Sequence, residues 1–133
     1  MVKIISAYFK RIWGIIQTNR FDLIWVEKEL LPWAPSWFEF HLTRQMIPFI
    51  VDYDDAIFHH YDLNSHYLLR RILGRKIDQI MRKARLVTAG NRYLAQRAAR
   101  AGSGRIEIIP TVIDLERYRV TPVGQRTPFT IGW

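Results

Sequence analysis

PFIVDYDDAIF, residues 48–58, is followed at once by His59, His60, Tyr61 and Asp62. It joins an apolar run, Phe49–Val51, to three carboxylates, Asp52, Asp54 and Asp55, and then to two histidines. An apolar strand that ends in a polar cluster is how open α/β sheets build sites, because ligands bind at the carboxyl ends of the strands. No Lys or Arg lies between Arg44 and Arg70, so the carboxylates have no cationic partner nearby in sequence. In an extended chain Asp52 and Asp54 share one face and Asp55 takes the other. Adjacent carboxylates repel, which predicts a raised pKa for one of them and a role in proton transfer or hydroxyl binding. The competing reading makes Asp54 or Asp55 a cap for the following turn. For Asp55 the two readings stand level, and Asp52 reads as structural.

Outward from this stretch the chain alternates between two periodicities. Residues 3–17 place Ile4, Ile5, Tyr8, Phe9, Ile12, Trp13 and Ile16 on one face of a helix. Phe21–Val26 reads as a buried strand. A loop with a short helix follows, continuing helically over 37–46 through Phe38, Leu42 and Met46. After the Phe49–Val51 strand, Asn64 or Ser65 caps a long helix running to about Ala84. Its inner stripe is Leu68, Leu69, Ile72, Leu73, Ile77, Ile80 and Met81, and Gly74 weakens it slightly. Arg85–Ala89 is a third strand, Gly90 a turn, and Asn91 the cap of a helix that ends at Gly102. Ile106–Ile109 is a fourth strand. This alternation predicts a parallel sheet with crossover helices. Residues 111–128 are polar and contain Pro122, Gly124 and Pro128, so they read as a linker. Phe129–Trp133 opens a new apolar strand, which suggests a piece of something longer.

Composition narrows the class. The chain has 133 residues, of which 49% are hydrophobic and 14% aromatic, enough for one domain with a core. It has no cysteine, which removes disulfides and thiolate metal sites and fits a reducing, cytoplasmic compartment. No apolar run approaches the roughly 20 residues of a membrane span. The net charge is +8 and is unevenly placed. From Arg70 to Arg105 there are eleven basic residues and one acid, Asp78. Such a field suits an anionic partner, either nucleic acid, anionic lipid headgroups or a phosphorylated ligand. A solvated basic helix face accounts for it equally well.

Five motifs in order carry a resemblance: FDLIWVEKELLPW (21–33), PFIVDYDDAIF (48–58), AGNRYLAQRA (89–98), IIPTVIDLERYR (108–119) and FTIGW (129–133). Together they resemble the group-1, family 4 glycosyltransferases of the GT-B architecture, over residues 7–133. The most telling is IPTVIDLERY, since in that family a Pro-x-x-x-Asp segment closes the first domain. The resemblance implies a partial Rossmann-like acceptor-side domain over 1–110, an interdomain linker over 111–128, and the first strand of a second domain over 129–133. It also implies sugar transfer from a nucleotide-sugar donor to a glycan or lipid-linked acceptor, with no separate cofactor and no metal. The family's opening strand and glycine-rich loop find no match here, nor does the donor-binding second domain. The expectation is therefore a fragment inactive alone.

Within that frame the catalytic candidates are Asp54, Asp55 and His59, and the acceptor-binding candidates are Glu27, Glu29, His60, Gly90 and Asn91. A neutral imidazole contacts a sugar hydroxyl or donor phosphate well. The resemblance implies a first-domain histidine near the transferred sugar, which aligns with neither His59 nor His60, and an ordinary surface role is favoured for both. Gly90–Asn91 joins a strand to a helix start, where backbone N–H groups bind anions; a turn with an N-cap explains it more simply. Trp25, Trp33 and Trp37 read as core before they read as sugar-stacking rings. A metal reading of Asp-x-Asp-Asp is set aside, because the resemblance implies an architecture that generally needs no such metal and no separate ligand set appears; a zinc site is disfavoured because adjacent histidines seldom chelate one ion. Peripheral contact with an anionic membrane, through the N-terminal helix and the basic stretch, and homodimerisation through an uncovered sheet edge remain open. A nucleic-acid module is the rival to the transferase. It is disfavoured because the aromatics are not interleaved with the basic run.

Overall fold

A computed structural model describes residues 2–42, 47–114 and 116–117. A helix, α1 (Val2–Ile16), passes through a short 3-10 turn (Gln17–Arg20) into β1 (Ile24–Glu27). Then follow α2 (Ser36–Leu42), β2 (Phe49–Tyr53), α3 (His59–Asp62), α4 (Tyr67–Leu73) and α5 (Lys76–Lys83). The series closes with β3 (Leu86–Ala89), α6 (Arg92–Ala101) and β4 (Ile106–Ile108). The four strands form one parallel sheet in the order β1-β2-β3-β4. This is the expected α/β Rossmann-like arrangement. Each crossover steps the same way across the sheet, so right-handed connections carry the crossover helices to one face.

Register aligns that face. Val26 stands beside Val51, Val51 beside Val87, and Val87 beside Ile106. Val26, Val51, Tyr53, Val87 and Ala89 are buried with Ile77, Ile80 and Met81 of α5 and Leu94 and Ala98 of α6. The alternate residues face the other way, and Trp25 is 59% exposed there. Trp33 and Trp37 are exposed too, which corrects the reading of the three tryptophans as core. Among the described side chains of α1 only Ile15 is buried, while Ile5, Phe9, Trp13 and Ile16 face solvent.

The expected long helix from Asn64 to Ala84 is instead two helices. α4 ends at Gly74, and α5 restarts at Lys76. A Cβ at Gly74 would lie 2.3 Å from the Arg70 carbonyl oxygen, so the helix break uses the missing side chain there. As a result Leu68 and Ile72 face outward, and only the later part of the predicted stripe is core. Neither Asn64 nor Ser65 is the cap: His66 occupies that position, and the Asn64 side-chain Oδ1 accepts the His66 N–H. Strand starts also move. The first strand begins at Ile24 rather than Phe21, leaving Phe21 and Leu23 exposed, and β2 continues to Tyr53. The expected continuation of α2 to Met46, the end of the linker and the strand at 129–133 lie outside the described residues. Within the segment read as a linker, the Asp114 side chain accepts the backbone N–H groups of Glu116 and Arg117.

Candidate functional site

The carboxyl ends of β1, β2 and β3 lie side by side, and their following loops bring the candidate residues together. Glu27 ends β1 opposite Asp52. The next residue, Lys28, donates its N–H to the Asp52 carbonyl (3.0 Å) and takes φ +65°. A left-handed lysine is uncommon, and such conformations gather at functional loops. Here it turns the side chain across to the loop after β2. The Lys28 Nζ stands 2.9 Å from Asp55 Oδ2 and 3.3 Å from Asp54 Oδ1. The cation that the local sequence lacks therefore arrives from the neighbouring strand.

That contact changes the electrostatics. The hydrogen bond from Lys28 holds the Asp54 carboxyl below its ordinary value. The Asp55 and Asp54 carboxylates in turn hold the Lys28 ammonium above its ordinary value. Repulsion between neighbouring carboxylates led to the expectation of a raised value for one of Asp52, Asp54 and Asp55. For Asp54 it is overturned, because a cation at hydrogen-bond distance outweighs a carboxylate next door. Lys28, Asp55, Ala56, Ile57 and His60 line a cavity of about 320 Å³ beside this cluster. The cavity offers one ammonium donor, one carboxylate acceptor and an imidazole, a set that pairs with hydroxyl groups.

Asp52 is not part of it. Its side chain accepts the buried Thr88 hydroxyl across the β2–β3 pair, in keeping with a structural role. Glu29 is also withdrawn. It is buried, with Oε2 2.5 Å from Lys76 Nζ, and it accepts the Tyr61 hydroxyl at 2.8 Å. This corrects its assignment to acceptor binding: the left-handed turn at Lys28 sends Glu29 inward. Lys76 meets Glu39 as well, at 2.7 Å. Burial raises the Glu39 carboxyl above its ordinary value, against the pull of Lys76. Burial likewise raises the phenols of Tyr53 and Tyr61. This cluster fixes the loop between β1 and α2, in which Trp33 also has positive φ and donates its N–H to Tyr61 Oη.

His59 stands apart from the cavity. Its Nδ1 is 2.9 Å from Asp62 Oδ1 and its Nε2 is 2.7 Å from the Tyr93 hydroxyl. With Nδ1–H directed at Asp62, Nε2 accepts the Tyr93 proton. Arg97 pairs with the far oxygen of Asp62 at 2.9 Å and with Asp78 at 2.6 Å, its guanidinium lying over the Phe58 ring. A carboxylate-oriented imidazole is a prepared proton acceptor, but here the Tyr93 hydroxyl occupies its free nitrogen. Asn91 caps α6, its side chain accepting the Leu94 N–H at 3.0 Å. Gly90 donates to the Tyr53 carbonyl, and a Cβ on it would lie 3.4 Å from Asp54 Cα. These two residues therefore join the loops of β2 and β3, as the simpler reading expected.

Sequence reasoning missed Lys28, Tyr93 and Arg97. Lys28 carried no local signal. The i, i+3 spacing of His59 and Asp62 within HHYD was a readable one. Among the described residues, no group of three or more His, Asp or Glu is placed to hold a metal ion. No helix among them is long and apolar enough to cross a membrane. Residues 2–117 match the family model described as Glycosyltransferase Family 4. No curated protein and no solved structure matches the chain.

Proposed function

The chain belongs to glycosyltransferase family 4, and from that premise we propose that its carboxyl-edge cavity binds the hydroxyl-bearing acceptor of a sugar transfer. The donor in this reading is a nucleotide sugar. The observation that carries the proposal is the convergence of Lys28, Asp54, Asp55 and His60 from two separate loops beside one cavity. Sugar hydroxyls both donate and accept. Asp55 accepts from one hydroxyl, and Lys28 donates to a neighbouring oxygen. Such charge-assisted bonds are short and strong.

Asp55 is the preferred proton acceptor. Its carboxylate is the more exposed of the pair, at 71% against 56% for Asp54, and it lines the cavity. Asp54 is the positioning partner, holding Lys28 from the other side. His59 serves this site through the loop it anchors, by way of Asp62 and Tyr93. The test is acceptor affinity. Asp55→Asn is expected to weaken binding of a sugar acceptor by about tenfold, the effect of losing one charge-assisted hydrogen bond. An unchanged affinity would remove Asp55 from the site.

A further inference from the structure

The opposite, amino-terminal edge of the sheet holds a cavity of about 630 Å³. Parallel strands begin side by side, so the residues leading into them converge. Arg85 precedes β3, Arg105 precedes β4, and Arg82 and Lys83 come from the last turn of α5. All four line this cavity, together with Phe40 and Gly104. No carboxylate is among the described residues that line it. Among the described residues Arg105 has one ion pair, to Glu107 at 3.5 Å, in which the two side chains are 69% and 53% exposed. A pair that exposed contributes little. The Lys83 ammonium lies 4.1 Å above the Phe40 ring, which fixes its position. Nothing stands within 4 Å of where a Gly104 Cβ would be, so the wall there is open.

Four like charges around one concavity repel one another, and an anion relieves that repulsion. Guanidinium groups match phosphate oxygens in bidentate geometry, and an ammonium adds a point charge. We propose that the amino-terminal edge is a binding site for a phosphate-bearing anion, with Arg85 and Arg105 as the principal contacts and Arg82 and Lys83 completing the field. The site is independent of the acceptor reading: it lies at the other end of the strands and has the opposite charge character. The same chemistry is offered by a soluble phosphate compound and by a phospholipid headgroup.

The test uses the full chain and pyrophosphate as probe, followed by calorimetric titration. Binding is expected, and Arg85→Gln and Arg105→Gln are each expected to weaken it about tenfold. Arg71→Gln removes the same charge from an exposed position on α4 and is expected to change affinity by less than about twofold, because distant charges are screened. All three residues are exposed, so thermal melts that coincide with the parent confirm that folding is retained. A second arm sediments the chain with phosphatidylcholine vesicles, with and without phosphatidylglycerol. Pyrophosphate binding that needs no vesicle identifies a soluble ligand. Arg85- and Arg105-dependent capture by phosphatidylglycerol alone identifies a headgroup. Either result supports the site. Absence of binding in both arms, or an equal loss from Arg71→Gln, overturns it.

Discussion

Lys76 is expected to be the most costly cation in the chain to remove. Its side chain is fully buried, and Glu29 and Glu39, at 5% and 3% exposure, meet it at 2.5 and 2.7 Å. Lys76→Met fills a similar volume but leaves two carboxylates in the core without their cation. Breaking a buried ionic cluster in this way costs about 3–5 kcal/mol, a large share of the roughly 5–15 kcal/mol that holds a domain folded. With a urea dependence of about 1–3 kcal/mol per molar, the unfolding midpoint should fall by roughly 2 M at pH 7. The loss should also depend on pH. Burial already raises the Glu39 carboxyl, and Lys76 opposes that rise; without Lys76 the folded-state pKa rises further. A carboxyl raised on folding contributes stability that is present below its unfolded pKa, about 4.3, and lost as pH rises through the folded value. The deficit of Lys76→Met should therefore shrink between pH 7 and pH 5. Adding Glu29→Gln and Glu39→Gln should recover much of it, since the amides keep hydrogen-bonding capacity and carry no charge. Urea titrations at the two pH values measure both effects. A loss below about 1 kcal/mol at pH 7, or one identical at both pH values, would refute the reasoning.

Two further perturbations probe the edge that carries the site. Asn91→Ala removes the α6 cap and should cost about 1 kcal/mol, with faster hydrogen exchange at the Leu94 amide; unchanged exchange would contradict the cap. Lys28→Met should return the Asp54 carboxyl toward its ordinary value, read by carboxyl carbon titration in NMR. In the parent, the depressed Asp54 contributes stability that is present above about pH 4 and lost as pH falls through its folded pKa, so this acid-side loss should diminish in the variant.

Much of the fold was legible because strand and helix periodicities differ and each segment obeyed one of them. The four strands, α1 and α6 follow directly from that contrast and from the stops at Gly90 and Gly102. Gly74 was visible as a weak point but not as a break, since its effect depends on how close the Arg70 carbonyl approaches. The tryptophans misled because burial is decided by which elements reach them, and size alone does not supply a neighbour. The site was half legible. Asp54, Asp55 and His60 stood out as a polar cluster after an apolar strand. Lys28 did not, because its partnership depends on the register of β1 beside β2 and on a left-handed turn that no local residue preference marks. The same turn buried Glu29. Lys76 and Arg97 counted toward a basic face in sequence, yet Lys76 is committed to two buried carboxylates and Arg97 to two half-buried ones.

The central claim is that the carboxyl edge of this sheet holds a hydroxyl-bearing acceptor. The most direct measurement is an amide NMR titration of the chain with a panel of glycans and lipid-linked sugars. Saturable shifts are expected, confined to the loops around Lys28, Asp54–His60 and Gly90 and abolished by Lys28→Met with Asp55→Asn. Saturable shifts that map elsewhere, or that survive the double substitution, would contradict it.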